Sequence, residues 1–207
     1  MRRIFALCTM LLAGSFASAQ EGINQTETLI KKGEQTVKAV TEARQQLEKT
    51  LANYNTIVDG KAVDPKDSYK DLGKAVKDSE DRVANVTKQR EEMDAEAGKL
   101  FASWKASMDA IGSPELKKKS QARLETTQAS YGKIATAGKD AKSEYDAFLG
   151  GLKDQITFLG HDLNPAALTS LKPDAAKLND RAQKMFAKID GVSAAANASI
   201  DGMRQQQ

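Results

Sequence analysis

The chain has 207 residues, of which 40% are hydrophobic, 5% aromatic and 29% charged, and its formal net charge is +3. These values suit one ordinary folded domain, and with only four prolines they exclude a disordered, collagen-like or proline-rich chain. The single cysteine, Cys8, lies in the N-terminal segment. Once that segment is removed, the chain can form no disulfide, cysteine-based zinc site or thiol active site.

Residues 1–19 have the form of a secretory signal peptide. A basic start, Met1-Arg2-Arg3, precedes an apolar run from Ile4 to Ala13, and Ala17-Ser18-Ala19 forms a small-residue cleavage site. The run is too short to span a bilayer, which needs about 20 apolar residues. We therefore expect an exported protein, periplasmic or extracellular, that is cleaved near Ala19. Cleavage leaves 29 basic and 28 acidic residues, so the basic balance belongs mainly to the leader.

A lipid anchor is not expected. Leu12-Ala13-Gly14-Ser15 has the form of a lipoprotein box in which serine replaces the acylated cysteine. Serine cannot carry the thioether-linked lipid, and too little apolar sequence precedes Cys8 for that residue to serve well instead. We interpret residues 20–207 as a single helical domain that is soluble after cleavage.

Prolines mark the helix boundaries in this domain. Asp64-Pro65, Ser113-Pro114 and Asn164-Pro165 each place a polar residue before a proline, as at the N-cap and first position of a helix. Pro173 also falls between periodic segments. The predicted elements are three long helices at about 22–58, 66–111 and 115–161, a short helical turn at 165–171, and a shorter final helix at 174–203. No strand pattern competes with them.

Each predicted helix carries apolar residues at alternating steps of three and four, which is the heptad pattern of coiled coils. The second helix has the longest seam, which runs in one register from Tyr69 to Ile111. At about 1.5 Å per residue the long helices span about 55 to 70 Å, and short connections predict antiparallel neighbours. The sequence therefore predicts an all-α fold: an elongated antiparallel helical bundle with coiled-coil packing, three long helices and a shorter fourth.

The seams are irregular. Arg44 and Arg90 take seam positions, where a charge must be paired or reach solvent, and we expect them to fix the register. Gly33 and Gly138 fall near the seam, where a missing side chain permits close helix approach, and Gly150-Gly151 is the predicted bend. The small seam residues make the core thin. Burial by a partner or self-association would therefore stabilise it.

Conspicuous motifs lie in two regions, at 100–131 and 154–171. They are Leu100-Phe101-Ala102-Ser103-Trp104, then Leu116-Lys117-Lys118 with Ser120, Leu124, Thr127 and Tyr131, then Asp154-Gln155, Phe158-Leu159, His161, Leu163-Asn164 and Ser170-Leu171. With these motifs the chain resembles the bacterial envelope family called domain of unknown function 2959, over about residues 40–200. The resemblance implies an extracytoplasmic helical protein and brings no activity with it. Ser15 departs from the lipoprotein start of many members, and Gly160 and Asp162 replace the usual lysine and asparagine.

His161, the only histidine, is followed by Asp162 near the end of the third helix. A histidine in a last turn is favoured by the helix dipole and can donate to free carbonyls, so a structural role is preferred over a catalytic one. An enzyme would need a nucleophile and an orienting group, and the sequence offers neither. The abundant carboxylates alternate with lysine and arginine, and one histidine cannot supply a di-metal site. We expect no enzyme, catalytic residue, metal or cofactor.

Lys117, Lys118 and Lys119, with Arg123, form a basic cluster at the start of the third helix. Helix starts prefer acidic residues, so this placement is unfavourable for the helix and makes contact with anionic lipid or polymer a candidate role. Nucleic acid is not expected, because the chain lacks an extended basic face and has few aromatic residues for stacking. We interpret Trp104 and Phe101 as core residues.

These observations leave three functional hypotheses. The first is a non-enzymatic structural or adaptor protein of the bacterial cell envelope that binds an envelope protein, or itself, through helix contacts. The alternative is peripheral binding to an anionic membrane surface or cell-wall polymer through Lys117, Lys118, Lys119 and Arg123. An enzyme that uses His161 is the least favoured. No small-molecule substrate is evident from the sequence.

Overall fold

The computed structural model describes residues 10–205, with side chains from residue 20 onward. The basic start of the predicted signal peptide, Cys8 and the last two residues lie outside the described residues. Four α-helices and a short 3₁₀ turn account for nearly all of the described chain: α1 (Met10–Val58), α2 (Pro65–Ser107), the turn Met108–Ala110, α3 (Pro114–His161) and α4 (Pro165–Arg204). α1 thus begins within the predicted leader rather than at residue 22, because no proline separates the two.

The three predicted N-caps are confirmed. Asp64 accepts hydrogen bonds from the backbone N–H groups of Lys66 and Asp67, at 2.9 and 3.0 Å. Ser113 accepts from the N–H of Leu116, and Asn164 accepts from that of Ala167. A proline follows each cap at the first helical turn, where its missing N–H costs nothing.

The predicted break at Pro173 is wrong, because α4 continues through this residue. A proline inside a helix removes one backbone hydrogen bond and crowds the preceding turn. Here the residues on both sides of it, Leu168, Leu171, Ala175 and Leu178, are all buried in the same core cluster. This packing holds the two segments in one helix, so the fourth helix is longer than predicted.

The helices form the predicted all-α antiparallel bundle, assembled from two hairpins. α1 packs along α2, α3 packs along α4, and the hairpins join through α1 and α4. α2 and α3 have much less contact, although only a short turn connects them. The side of the bundle between α2 and α3 is therefore loosely packed.

Buried side chains form two clusters along the bundle. The larger one lies toward the α1–α2 connection and includes Tyr54 and Phe148, both fully buried. The smaller one lies toward the opposite end and includes Leu29, Leu100 and Ile200. Several partly buried residues that pack against the clusters are small or β-branched, among them Val83, Val86 and Ala137, and α2 and α3 have little contact with each other.

The irregular seam positions have mixed outcomes. Arg44 is paired as expected, with Asp190 and Glu48 at 2.6 Å each, and Arg90 pairs with Asp94 at 3.2 Å. Gly33 is a site of close helix approach, because a Cβ there would lie 3.0 Å from Cδ1 of Ile200.

The expectation for Gly138 is wrong, because no atom lies within 4 Å of the position that a Cβ would take there. Gly138 faces open space between helices rather than a close neighbour. α3 remains helical through Gly150-Gly151.

Candidate functional site

The predicted basic cluster lies at the end of the bundle where α2 and α4 finish and α3 begins, which we call the basic end. Lys117 pairs with Asp109 at 3.2 Å, and Lys119 pairs with Glu115 at 2.9 Å. Lys118 is exposed and has no ion pair to another described residue. The cluster is thus partly neutralised by its own neighbours.

Arg123 lies one turn further along α3 and faces Trp104, with its guanidinium carbon 5.8 Å from the centre of the indole ring. The indole N–H donates to the Ser120 hydroxyl at 2.9 Å. Trp104 is half-buried and ties the end of α2 to the start of α3. Arg123 therefore belongs with the packing of Trp104 as much as with the lysines. Phe101 contacts the Tyr131 ring edge to face, with the ring centres 5.9 Å apart.

An open depression of about 690 Å³ lies beside these residues at the basic end. All four helices contribute lining residues to it. These include Ile23 of α1, Leu100 and Trp104 of α2, Arg123 of α3 and Met203 of α4. Ile23 is 47% exposed.

Leu116, one helical turn before Ser120 of the depression wall, is 57% exposed. Two large apolar side chains thus flank a concave surface with an apolar floor. Leu116 was named within a family motif, but neither residue was assigned to a binding site from the sequence.

His161 lies far from the basic cluster. It is the last residue of α3 and is exposed, and at about 1.5 Å per residue it is about 66 Å along the helix from Lys117. Asp162 follows it as the C-cap and accepts a hydrogen bond from the N–H of Asn164 at 3.1 Å. The structure does not bring the two predicted groups of site residues together.

A second concave site lies in the middle of the bundle and was missed by the sequence analysis. It is a cavity of about 310 Å³ between α2 and α3, here called the central cavity. Its apolar walls include Val40 of α1, Val86 of α2, Ile134 and Ala141 of α3, and Val192 of α4. Gly138, which has open space in front of it, also lines the cavity. The small residues of α3 opposite valines of α2 were the available sequence signal.

Five polar side chains also line the central cavity: Thr36, Thr87, Arg90, Lys142 and Tyr145. Tyr145 is 6% exposed, and its hydroxyl makes no hydrogen bond to another described residue. Burial, together with the charges of Glu80 and Asp146, raises the pKa of Tyr145 to about 12. The hydroxyl is therefore a neutral donor at physiological pH.

Across residues 10–205, histidine and carboxylate side chains nowhere gather into a group of three that could hold a metal ion. In the same part of the chain, none of the helices combines the length and the hydropathy that a membrane-spanning segment needs.

The fold and these two sites define an antiparallel four-helix bundle with one loosely packed side. The family model for proteins of unknown function, DUF2959, matches residues 16–203. The chain therefore belongs to this family, as its motifs indicated. Neither a search of curated proteins nor a search of solved structures finds a match to this chain.

Proposed function

We propose that the protein is an exported, non-enzymatic interaction protein of the bacterial cell envelope, and that it binds a helix of a partner protein at its basic end. The observation that carries the proposal is the open depression there, flanked by the exposed side chains of Ile23 and Leu116. The predicted signal peptide supports export.

The depression suits an apolar helix. Its floor includes Leu100 and Met203 of the smaller core cluster, and Trp104 forms part of its wall. Exposed apolar side chains beside a concave surface mark interaction sites, and an amphipathic helix in a groove is a common way to cover them. Each Å² of apolar surface that a partner covers contributes about 25 cal/mol.

Site-specific photo-crosslinking in intact cells tests this proposal. A photoreactive residue at Leu116 is compared with one at Phe158, which is 44% exposed on the same helix but about 63 Å away. We expect one discrete adduct with an envelope protein from position 116 and none from position 158. The adduct should disappear when Ile23→Asp is added to the same chain.

Equal adducts from both positions, or an adduct that survives Ile23→Asp, would contradict the proposal. An adduct between two copies of this chain would show that this surface binds a second copy of the chain instead of a partner protein.

A second function, peripheral binding to an anionic surface, is favoured by Lys118, which projects from the basic end without an ion pair to a described residue. Lys117 and Lys119 pair only with exposed carboxylates, and such surface pairs are weak. An anionic headgroup could therefore replace Asp109 and Glu115 as their partner.

Vesicle sedimentation tests this second function. We expect the protein to bind phosphatidylglycerol vesicles but not phosphatidylcholine vesicles at low salt. Replacing Lys117, Lys118 and Lys119 by glutamine should abolish the binding. The matched control replaces Lys70, Lys74 and Lys77 of α2, of which two are likewise ion-paired and all three are exposed. Equal effects of the two triple variants would reject the basic cluster as the site.

A further inference from the structure

The loosely packed side of the bundle is a window between α2 and α3 that is closed at both ends. At one end the Tyr131 hydroxyl donates to Asp94 at 2.6 Å, and at the other Lys153 pairs with Glu80 at 2.6 Å. Glu80 and Asp94 are 14 residues apart on α2, so the window is about 21 Å long. The central cavity lies behind this window.

The walls of the cavity are apolar and lie where the two core clusters meet. On α2, Val83 and Val86 remain half-buried, whereas the seam residues on either side, Ser79 and Met93, are fully covered. Between Ser79 and Met93, the seam of α2 thus loses part of its cover. The available volume of about 310 Å³ falls in the range of small-molecule sites.

Two basic side chains line the cavity. Arg90 of α2 and Lys142 of α3 stand on opposite walls, and each forms an ion pair with an acid one turn away on its own helix, Asp94 and Asp146 respectively. The Lys142 ammonium also lies 5.8 Å from the centre of the Tyr145 ring. The side chains of both bases are about half exposed, so these pairs are weak and a ligand can compete for the bases. The hydroxyl of Tyr145 adds a free donor among the lining residues.

We infer that the central cavity binds a small amphiphile with one hydrocarbon chain and an anionic headgroup, of the fatty-acid class. The chain lies against the valines and Ala141, and the headgroup pairs with Arg90 and Lys142. A cavity of about 150 Å³ can hold benzene, so about twice that volume suits a chain of about ten carbons.

A partner helix does not fit this site. A helix of more than about 14 residues is longer than the window, so one that lay along it would have to break the Tyr131–Asp94 or Lys153–Glu80 contact. The inference is independent of the proposed function, because no residue lines both the central cavity and the depression at the basic end.

The probe is decanoate, compared by calorimetric titration with decyltrimethylammonium, which has the same chain length and the opposite charge. We expect saturable binding of decanoate at one site per protein and much weaker binding of the cation. Gly138→Leu places a side chain in the cavity and should abolish decanoate binding. The control is Gly132→Leu, the same change at an exposed glycine on the same helix with open space around it, which should leave binding unchanged.

The headgroup assignment is tested with the double variant Arg90→Gln, Lys142→Gln. Loss of a charge-assisted contact should weaken decanoate binding by about tenfold while leaving binding of decyltrimethylammonium unchanged.

Methyl NMR of the unmodified protein serves as a readout that needs no variant. Decanoate should shift the methyl signals of Val86 and Val192 but not those of Leu72, which is fully buried elsewhere in the core. Equal binding of both amphiphiles, no saturable binding, or shifts confined to the basic end would overturn the inference.

Discussion

Gly33 of α1 lies directly against Ile200 of α4: a Cβ at Gly33 would be 3.0 Å from Cδ1 and 3.1 Å from Cγ1 of Ile200. Ile200 is 3% exposed and cannot move away without disturbing the smaller core cluster. The glycine thus sets the distance at which α1 and α4 pack. This contact joins the two hairpins near the basic end.

Gly33→Ala should lower the free energy of unfolding by about 1 kcal/mol, because overpacking costs more than the gain in helix propensity returns. Urea denaturation measures the change. Gly191→Ala is the matched control, since nothing lies within 4 Å of a Cβ there, and it should raise the stability by about 0.5 to 1 kcal/mol. Equal effects of the two substitutions would contradict the close approach.

Gly138→Ala should stabilise the protein by about 0.5 to 1 kcal/mol. The added methyl group enters the central cavity without meeting another atom, and alanine loses less conformational entropy than glycine in a helix. Thermal unfolding followed by circular dichroism checks this prediction. A destabilising effect would mean that the space in front of Gly138 is filled in solution.

Thr50 and Ser79 form a buried polar contact between α1 and α2. Their hydroxyl oxygens are 2.8 Å apart, and the Thr50 hydroxyl also lies 3.0 Å from the carbonyl oxygen of Ala75. Thr50→Val should cost about 1 to 2 kcal/mol, because it removes these contacts from a fully buried site. In a double-mutant cycle, Ser79→Ala should cost less in the Thr50→Val background than in the wild type. Strict additivity would show that the two hydroxyls are not coupled.

Stability should fall at alkaline pH because two buried tyrosines and one partly buried tyrosine resist ionisation. Burial raises the pKa of Tyr145 to about 12, and burial also raises the pKa values of Tyr54 and Tyr131 above the usual 10, the latter with help from its hydrogen bond to Asp94. Between pH 10 and the folded pKa values, the unfolded chain loses phenolic protons that the folded chain retains. The unfolded state is therefore favoured progressively as pH rises through this interval.

Urea midpoints measured from about pH 8 to pH 12 check this expectation, with Tyr131→Phe as the comparison. The variant should lose less stability across the interval than the wild type does. Parallel curves for the two proteins would show that Tyr131 ionises equally well in both states.

The helices and their order could be predicted because heptad spacing and proline position are local properties of a sequence. The cap residues Asp64, Ser113 and Asn164 act within one turn, so their neighbours suffice to identify them. Pro173 was misjudged because its effect is offset by long-range burial of Leu171 and Ala175. Local signals carry no information on that compensation.

The central cavity could not be predicted because it depends on how closely two helices approach. Gly138 sits near the seam as expected, but glycine at a seam is compatible both with close contact, as at Gly33, and with an open space. The seam of α2 is continuous in sequence, and only the arrangement of all four helices shows that Val83 and Val86 are incompletely covered. The basic cluster was found, but its ion pairs with Asp109 and Glu115 were not.

The arrangement in two hairpins dictates an order of folding. Contacts within the α1–α2 hairpin join residues such as Lys32 and Glu92, 60 positions apart, whereas the pairing of α1 with α4 joins Arg44 to Asp190, 146 positions away. Bringing residues so far apart together costs more conformational entropy than forming either hairpin. We therefore expect the hairpins to form first and to dock through α1 and α4 in the slow step. Backbone amides of α2 and α3 should then gain protection from exchange before the two hairpins have met.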